Sequence, residues 1–349
     1  MTSPTRLAVV GAGLVGVRHI DAIKQASSAE LVAIVDTTAA ARESADKANV
    51  GLFDSLEKML NEQAPDGVII STPTLLHVEQ ALQCINASCP VLVEKPIAVA
   101  AKDAQDLIKR GQDRGVPILV GHHRRHNPLI QKANELIMAG EIGQVRSAQG
   151  TCWLYKPDDY FDIAPWRKKK GAGPISVNLV HDVDLMRYLL GDVSHVQAAA
   201  SISARGFENE DVAAAVLTFS SGAVGTITVS DSIVAPWSWE LTANENPCYP
   251  ATSQSCLQIG GSKGSLSIPD LTIWTHQGKR SWWEPISSTS VPCASSDPLV
   301  QQINNFVDVI TGDASPVVSG LEGMKSLQVV EAIQLSVEKR VGIDITSMS

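Results

Sequence analysis

The sequence predicts an α/β fold in its first third, a doubly wound parallel sheet, followed by a second domain that is rich in strands. Two observations lead to this prediction. Apolar runs of strand length alternate with helical stretches between Leu7 and Gly121, as in parallel strands joined by crossover helices. After Pro128, several strand-like runs follow one another with turns between them. The length of 349 residues suits two domains better than one.

The first strand, Leu7–Val10, runs directly into Gly11-Ala12-Gly13-Leu14-Val15-Gly16. In this G-x-G-x-x-G spacing the first glycine allows a tight turn, and the second lets the backbone approach a pyrophosphate. The third lets a helix pack closely against the strand. The helix that begins there points its N–H groups at the phosphates. A purely structural turn is the alternative, because turns use glycine for many reasons.

A second apolar strand, Leu31–Val35, ends in Asp36, twenty residues after Gly16. A carboxylate at this place accepts hydrogen bonds from both ribose hydroxyls of NAD. Strand, glycines, helix, strand and acid in register therefore favour a Rossmann dinucleotide-binding domain over a structural turn. No Arg or Lys directly follows Asp36, and a carboxylate repels a 2′-phosphate. We expect NAD rather than NADP as the cofactor.

The alternation continues to the end of the first domain. Predicted helices are Ala39–Ala48, Ser55–Asn61, His77–Ala87 and Ala100–Gly115, and predicted strands are Asp66–Ser71, Pro90–Glu94 and Pro117–Gly121. Polar residues lie where two of these strands end, which is where open α/β sheets place ligands. We expect further cofactor contacts from Ser71, Thr72, Pro73, His77, Glu94 and Lys95.

The second half has fewer helices. Predicted strands are Val145–Trp153, Val193–Ser203, Val212–Ser220, Ala223–Ser230, Ser255–Ile259, Gly264–Ile268 and Thr272–Thr275. Helices are predicted at Pro128–Ala139, around His181, and late in the chain at Pro298–Ile310 and Leu321–Val337. The segment Ile286–Ser296 is rich in Ser and Thr and predicts a surface loop.

Composition excludes several classes of partner. The net charge of −9 and the isoelectric point near 5.4 argue against nucleic acid and anionic membranes. No apolar run reaches the length of a membrane span, and no export signal precedes the first strand. The six cysteines are scattered, so we expect reduced thiols in the cytoplasm. Three histidines between Gly121 and Pro128 suggest zinc, but no Cys or carboxylate lies nearby at ligand spacing, so no metal is predicted.

Four motifs occur in a recognisable order: GAGLVG, TPTLLH, VEKP and VGHHRRHNP. In them the chain resembles the Gfo/Idh/MocA family of NAD(P)-dependent oxidoreductases, over nearly its whole length. The resemblance implies a Rossmann domain, residues 1–124, and an α+β domain, residues 125–349, with a large, mostly antiparallel, open-faced sheet. It also implies homodimers or homotetramers formed through that sheet. The late helices would pack back on the Rossmann domain.

Oxidation of a secondary alcohol needs a group that stabilises the oxyanion and a base that takes the hydroxyl proton. By resemblance Lys95 is the lysine of the family's EKP motif and serves the first need. His181 corresponds to the usual acid/base, and histidine titrates near neutral pH. The alternatives are a solvated surface lysine and a structural core histidine. The sequence departs from the family at Val177, where the sugar and inositol dehydrogenases commonly have Asp.

Substrate contacts are expected from polar, cationic and aromatic residues near these two. Asn178 would orient the hydroxyl in place of the missing Asp, and Asp184 lies one helical turn after His181. The complete set is Asn178, His123, Arg124, Tyr155, Lys156, Tyr160, Trp166, Arg167 and Asp184. The cationic members make a carboxylated substrate a credible option.

We therefore expect an NAD(P)-dependent oxidoreductase that interconverts a secondary alcohol and a ketone by hydride transfer. Its small-molecule substrate would be cyclic and hydroxylated: a sugar, an inositol, a dihydrodiol or a cyclic hydroxy acid. One rival is a family member that cleaves glycosides by transient oxidation with NAD. Another is an inactive NAD-binding sensor, which the departure at Val177 motivates.

Overall fold

The computed structural model describes residues 3–348 and divides the chain into two compact units. The first unit runs to Asn127 and takes in the late segment Ser296–Leu327. The second contains Pro128–Ser295 and the chain from Gln328 onward.

The strands, in chain order, are β1 Thr5–Val10, β2 Ala29–Val35, β3 Gly51–Phe53, β4 Gly67–Ile70, β5 Val91–Val93, β6 Ile118–Val120, β7 Val145–Trp153, β8 Val193–Ala200, β9 Val212–Phe219, β10 Val224–Ser230, β11 Leu257–Gly261, β12 Gly264–Ile268, β13 Thr272–Thr275, β14 Ser287–Ser290 and β15 Ile343–Asp344. The helices are α1 Leu14–Gln25, α2 Ala39–Ala48, α3 Leu56–Gln63, α4 His77–Asn86, α5 Ala101–Arg114, α6 Pro128–Met138, α7 Asp158–Asp162, α8 Pro174–Val177, α9 Leu179–Leu190, α10 Trp239–Thr242, α11 Pro298–Thr311 and α12 Gly320–Lys339. Short 3₁₀ turns occupy Thr74–Leu76, His123–His126, Pro165–Lys168 and Ile345–Ser347.

The first unit is built on a parallel sheet with the strand order β3-β2-β1-β4-β5-β6. Successive residues of its strands are buried on opposite faces, as a sheet covered by helices on both sides requires. Leu7 and Val9 of β1 pack in a core with α1 and α11, while Ala8 and Val10 pack in a core with α4 and α5. The strand order reverses between β1 and β4, and open sheets bind ligands at such a point. The Rossmann prediction is confirmed.

The second unit is built on one large sheet with the order β14-β13-β12-β11-β7-β10-β9-β8-β15. Within residues 3–348, β7 and β10 form its single parallel pair, and the other neighbours are antiparallel. Alternate residues such as Leu217, Ile227 and Ile259 are buried in a core with α6 and α9. The residues between them face the opposite side, so the predicted mostly antiparallel, open-faced sheet is confirmed.

The structure differs from the prediction at the edge of this sheet. The segment Ile286–Ser296, predicted as a loop, contains β14, whose residues pair with β13. An edge strand has one face and one edge in solvent, so its Ser and Thr side chains need no apolar pattern. Strand β8 also ends at Ala200, before the predicted Ser203.

Candidate active site

The glycine turn after β1 has the shape that close backbone packing demands. Gly11 has φ +90°, and a Cβ there would lie 2.9 Å from the backbone of Ser71 and Thr72. A Cβ on Gly16 would overlap the carbonyl oxygen of Gly11. A Cβ on Gly13, by contrast, would meet no protein atom within 4 Å. The first and third glycines therefore serve the fold, and the second leaves open the approach that a dinucleotide pyrophosphate needs.

Helix α1 begins at Leu14, directly behind this opening. The first N–H groups of a helix have no acceptor within the helix, so they and the positive end of its dipole suit a phosphate. Leu14 is 87% exposed and Val15 is also exposed, although both are apolar. Ser71 donates its hydroxyl to the carbonyl oxygens of Gly11 (2.7 Å) and Val10 (3.1 Å), which secures the turn.

Asp36 lies at the end of β2 with both carboxylate oxygens already oriented by backbone N–H groups. Ala12 N donates to Oδ2 and Thr38 N donates to Oδ1, each at 2.7 Å. Partial burial acts to raise the pKa of Asp36, but these hydrogen bonds outweigh it and hold the pKa below its usual value. The ionised carboxylate is the form that accepts hydrogen bonds from both ribose hydroxyl groups. A cavity of about 510 Å³ opens beside it, lined also by Arg42 and Lys58.

The loop after β4 contains Thr72, Pro73 and His77. Thr72 donates its hydroxyl to Gln80 Oε1 at 2.6 Å, and Pro73 is exposed ahead of the turn Thr74–Leu76. His77 is buried and lies between two backbone carbonyl groups, those of Thr72 and Pro96. Its ring therefore contacts the protein backbone at both nitrogen atoms.

Glu94 is a buried carboxylate that holds the backbone of Lys95. Its Oε2 accepts a hydrogen bond from the Lys95 N–H at 3.0 Å. Its Oε1 accepts a hydrogen bond from Nε2 of the wholly buried His19 at 2.8 Å. Burial acts to raise the pKa of Glu94, but its hydrogen bond and interaction with His19, helped by Lys95 and His123, lower the pKa to about 2. Lys95 itself is half-buried, and the Lys95–Pro96 peptide is cis.

In the segment after β6, His123 is half-buried, whereas the other histidines and arginines are buried: His122, Arg124, Arg125 and His126. The electrostatic interaction of His123 with Glu94 helps to lower the pKa of that carboxyl group. Arg124 and Arg125 are buried, and Arg125 forms an ion pair of 3.1 Å with Glu322 of the same unit. Of the two predicted substrate contacts here, His123 is thus the more accessible.

The second unit brings together Asn178 and His181 at the start of α9. Asn178 joins the short helix α8 to α9, and His181 follows one turn later; both are half-buried. Lys156 Nζ donates to Asn178 Oδ1 at 2.7 Å. A lysine ammonium only donates, so the atom facing it is the amide oxygen, and the Asn178 –NH₂ group is left to donate elsewhere.

Lys156 is held in turn by a buried network. Its Nζ lies 3.6 Å from Asp231 Oδ2, while Arg205 pairs with Asp231 Oδ1 at 2.8 Å and donates to the Lys156 carbonyl oxygen at 3.0 Å. Desolvation lowers the pKa of Lys156, and Asp231 opposes that shift. The network orients the lysine through Asp231, whose carboxylate is almost inaccessible to water.

The aromatic candidates lie around the same network. Tyr160 has Lys156 Nζ 5.1 Å and Arg167 Cζ 3.9 Å from its ring centroid, within cation–π range. Burial raises the pKa of Tyr160, and the charge of Arg167 opposes that rise. Tyr155 and Trp166 are exposed, whereas Asp184 is buried in α9.

Sequence reasoning did not identify His19, Arg205 and Asp231. Asp231 carried a usable signal, because it directly follows a predicted strand, as Asp36 does. His19 carried a weaker one: it is a polar residue on the buried face of α1, between Gly16 and Ile23. Arg205 lies in an irregular segment and carried none.

The described residues contain neither a metal cluster nor a membrane-spanning helix. No group of three or more His, Cys, Asp or Glu side chains between residues 3 and 348 is arranged to hold a metal ion. In the same range, no helix has the length and hydrophobicity needed to cross a bilayer.

The sequence matches known families over both units. Residues 5–122 match the oxidoreductase family with an NAD-binding Rossmann fold, and residues 130–267 match the Gfo/Idh/MocA C-terminal domain. D-apiose dehydrogenase of Paraburkholderia graminis is 26% identical over 98% of this chain and 90% of its own length. 4-carboxy-2-hydroxymuconate-6-semialdehyde dehydrogenase of a Sphingobium strain is 33% identical over 56% of this chain and 61% of its own length.

Among solved structures, the WlbA dehydrogenase of Bordetella pertussis, crystallised with NADH and UDP-GlcNAcA, is 28% identical. Its TM-score is 0.78, and the match covers 98% of this chain and 99% of that one. The glycine turn, the open approach at Gly13 and the ionised Asp36 agree with the matched family. The chain belongs to the Gfo/Idh/MocA family and is an NAD-binding oxidoreductase.

Proposed function

We propose that the chain is an NAD-dependent dehydrogenase that interconverts a secondary alcohol and a ketone on a cyclic, hydroxylated substrate bearing a carboxylate. The observation that carries this proposal is the 2.7 Å bond from buried Lys156 to the Asn178 oxygen, one helical turn before His181. That bond turns the Asn178 amide into a fixed hydrogen-bond donor.

NAD, when bound, supplies the hydride acceptor. Lys95, whose backbone Glu94 holds, would stabilise the developing oxyanion with its ammonium group. His181 would take the hydroxyl proton at a ring nitrogen and return it in the reverse direction. Neither role needs an acid at position 177, so Val177 is compatible with turnover.

The nature of Asn178 bears on the substrate. An Asp in this region would accept hydrogen bonds from the hydroxyls of a neutral polyol. The oriented amide of Asn178 instead donates, which suits an acceptor such as a carboxylate or a ketone oxygen. The Sphingobium relative is named for a carboxylated compound, and WlbA binds UDP-GlcNAcA, a sugar nucleotide with a carboxylate. Both facts support an acidic substrate.

A substrate panel tests this proposal directly. Nicotinamide absorbance would be followed with NAD and NADP against aldoses, inositols, uronic acids, quinate-like acids and aromatic cis-dihydrodiols. We expect reduction of NAD with carboxylated members. Turnover of neutral polyols alone would contradict the carboxylate. Release of an aglycone from glycosides without NADH accumulation would favour glycoside cleavage, and NAD binding without any turnover would favour a sensor.

The substitution Asn178→Asp tests the donor role. The new side chain has the same shape and can still accept from Lys156, so we expect the fold to be retained. Its negative charge would face a carboxylated substrate. We expect kcat/KM to fall at least about tenfold more for the acid than for a neutral analogue, since a lost charged contact is worth on the order of 1.4 kcal/mol or more. Lys169→Met, at an exposed lysine, serves as the control. Equal losses on both substrates would count against the carboxylate.

The same proposal extends to assembly and location. We propose a homodimer or homotetramer formed through the open face of the nine-stranded sheet, where Val216 and Val224 are exposed. We also propose the cytoplasm as its location. All six cysteines are free thiols, which suits a reducing compartment.

A further inference from the structure

His77 makes two hydrogen bonds of an unusual kind. Its Nδ1 lies 2.9 Å from the carbonyl oxygen of Pro96, and its Nε2 lies 2.8 Å from the carbonyl oxygen of Thr72. The residue is 1% exposed, so water does not compete for either nitrogen. Both ring nitrogens therefore face acceptors that have no proton to give.

This arrangement has a chemical consequence. A neutral imidazole has one N–H and one bare nitrogen, and the bare nitrogen would direct its lone pair at a carbonyl oxygen less than 3 Å away. Only an imidazolium satisfies both contacts. His77 also begins α4, where the positive end of the helix dipole disfavours a cation. The negative charge of Glu79 in the first turn offsets that effect. Hydrogen bonds from a charged donor are roughly twice as strong as neutral ones, and here two of them act on one ring.

The two carbonyl groups belong to separate strand ends. Thr72 follows β4, and its backbone N would lie 2.9 Å from a Cβ placed on Gly11 of the glycine turn. Pro96 follows β5 and directly succeeds Lys95. The other side of Lys95 is held by Glu94 through its backbone N–H. His77 thus connects the segment beside the glycine turn with the segment that carries the lysine.

We propose that His77 is a positioning residue, a buried imidazolium that ties the Thr72 loop to the Lys95–Pro96 segment and so keeps the NAD site and Lys95 in register. The sequence predicted His77 as a cofactor contact, but both of its nitrogens are engaged by the protein, so it acts through the backbone it holds. This inference rests on the proposed role of Lys95.

The protonation state can be read without turnover. In protein labelled with ¹⁵N-histidine, the ring nitrogens of His77 would be observed by NMR near neutral pH, with and without NAD. Assignment would come from the resonances lost in His77→Asn, or in His77→Gln if the first variant does not fold. We expect both ring nitrogens of His77 to carry protons. One protonated and one bare nitrogen would overturn the proposal.

The consequence for the site can be measured separately. We expect His77→Asn to raise the Kd of NAD on the order of tenfold and to lower kcat, because it cannot hold both carbonyl groups. His276→Asn is the matched control, since His276 has one ring nitrogen on a carbonyl oxygen, that of Pro285, in the second unit. An unchanged Kd in folded His77→Asn would also overturn the proposal. Calorimetric NAD binding and the NMR readout do not depend on the substrate, so they remain decisive even if the proposed reaction is wrong.

Discussion

Glu94 shows how a single buried carboxylate can hold the backbone of a neighbouring lysine, Lys95, for which we propose a catalytic role. It reaches Lys95 through the backbone rather than through its side chain, and His19, seventy-five residues earlier, supplies the bond that keeps it ionised. Gly121 is required beside it, because a Cβ there would lie 2.8 Å from the carboxyl group. The backbone position of Lys95 therefore depends on Glu94, His19 and Gly121.

This ionised state predicts a pH dependence of stability. The pKa of Glu94 falls from an ordinary 4.5 to about 2 on folding, so the carboxylate stabilises the folded state fully above the ordinary pKa. That contribution is lost as the pH falls from 4.5 towards 2. We expect Glu94→Gln to lower the free energy of unfolding by about 3 kcal/mol near neutral pH, with a difference from wild type that shrinks below pH 4.5.

Urea unfolding at a series of pH values measures this difference. Glu62→Gln, on the exposed side of α3, is the control and should follow the wild type. A Glu94→Gln deficit that stays constant from neutral pH down to pH 2 would mean that folding does not lower the pKa of Glu94.

At the scale of elements, two glycines of the turn between β1 and α1 have different tasks. Gly16 is required by the packing of the fold, and Gly13 is required for NAD binding in our proposal. Ala at Gly16 would place its Cβ against the Gly11 carbonyl group, whereas Ala at Gly13 would meet no protein atom. We expect Gly16→Ala to lower the free energy of unfolding by about 1–3 kcal/mol through overpacking. Gly13→Ala should leave stability unchanged and weaken NAD binding. Thermal unfolding and NAD titration of both variants check this; Gly13→Ala with wild-type affinity would show that the pyrophosphate lies elsewhere.

At the scale of the molecule, the nine-stranded sheet has one face in a core and one face in solvent. Val216, Val224 and Trp274 on that open face are each more than 40% exposed. We expect Val216→Arg to shift the protein towards monomer, because it places an unpaired charge in the proposed interface. Light scattering coupled to gel filtration measures the mass. Met138→Arg, at the exposed end of α6, is the control, and an oligomer unaffected by Val216→Arg would exclude this face.

The sequence by itself determined the features that depend on neighbouring residues. The spacing of Gly11, Gly13 and Gly16, the acid at the end of β2 and the lysine after β5 are local patterns, and the strand–helix alternation follows from hydrophobic periodicity. These were sufficient to predict the parallel sheet, NAD and Lys95 as a candidate, whereas the role expected of His181 follows from the resemblance to the family.

The tertiary structure alone decided which distant groups meet. The contacts of His19 with Glu94, of Lys156 with Asp231 and of Arg205 with the same carboxylate join separate elements. The bond from Lys156 that turns Asn178 into a donor does the same. Such contacts depend on strand order and helix packing, which no local pattern encodes. The burial of these side chains and the ion pairs between them therefore form only when the chain has folded.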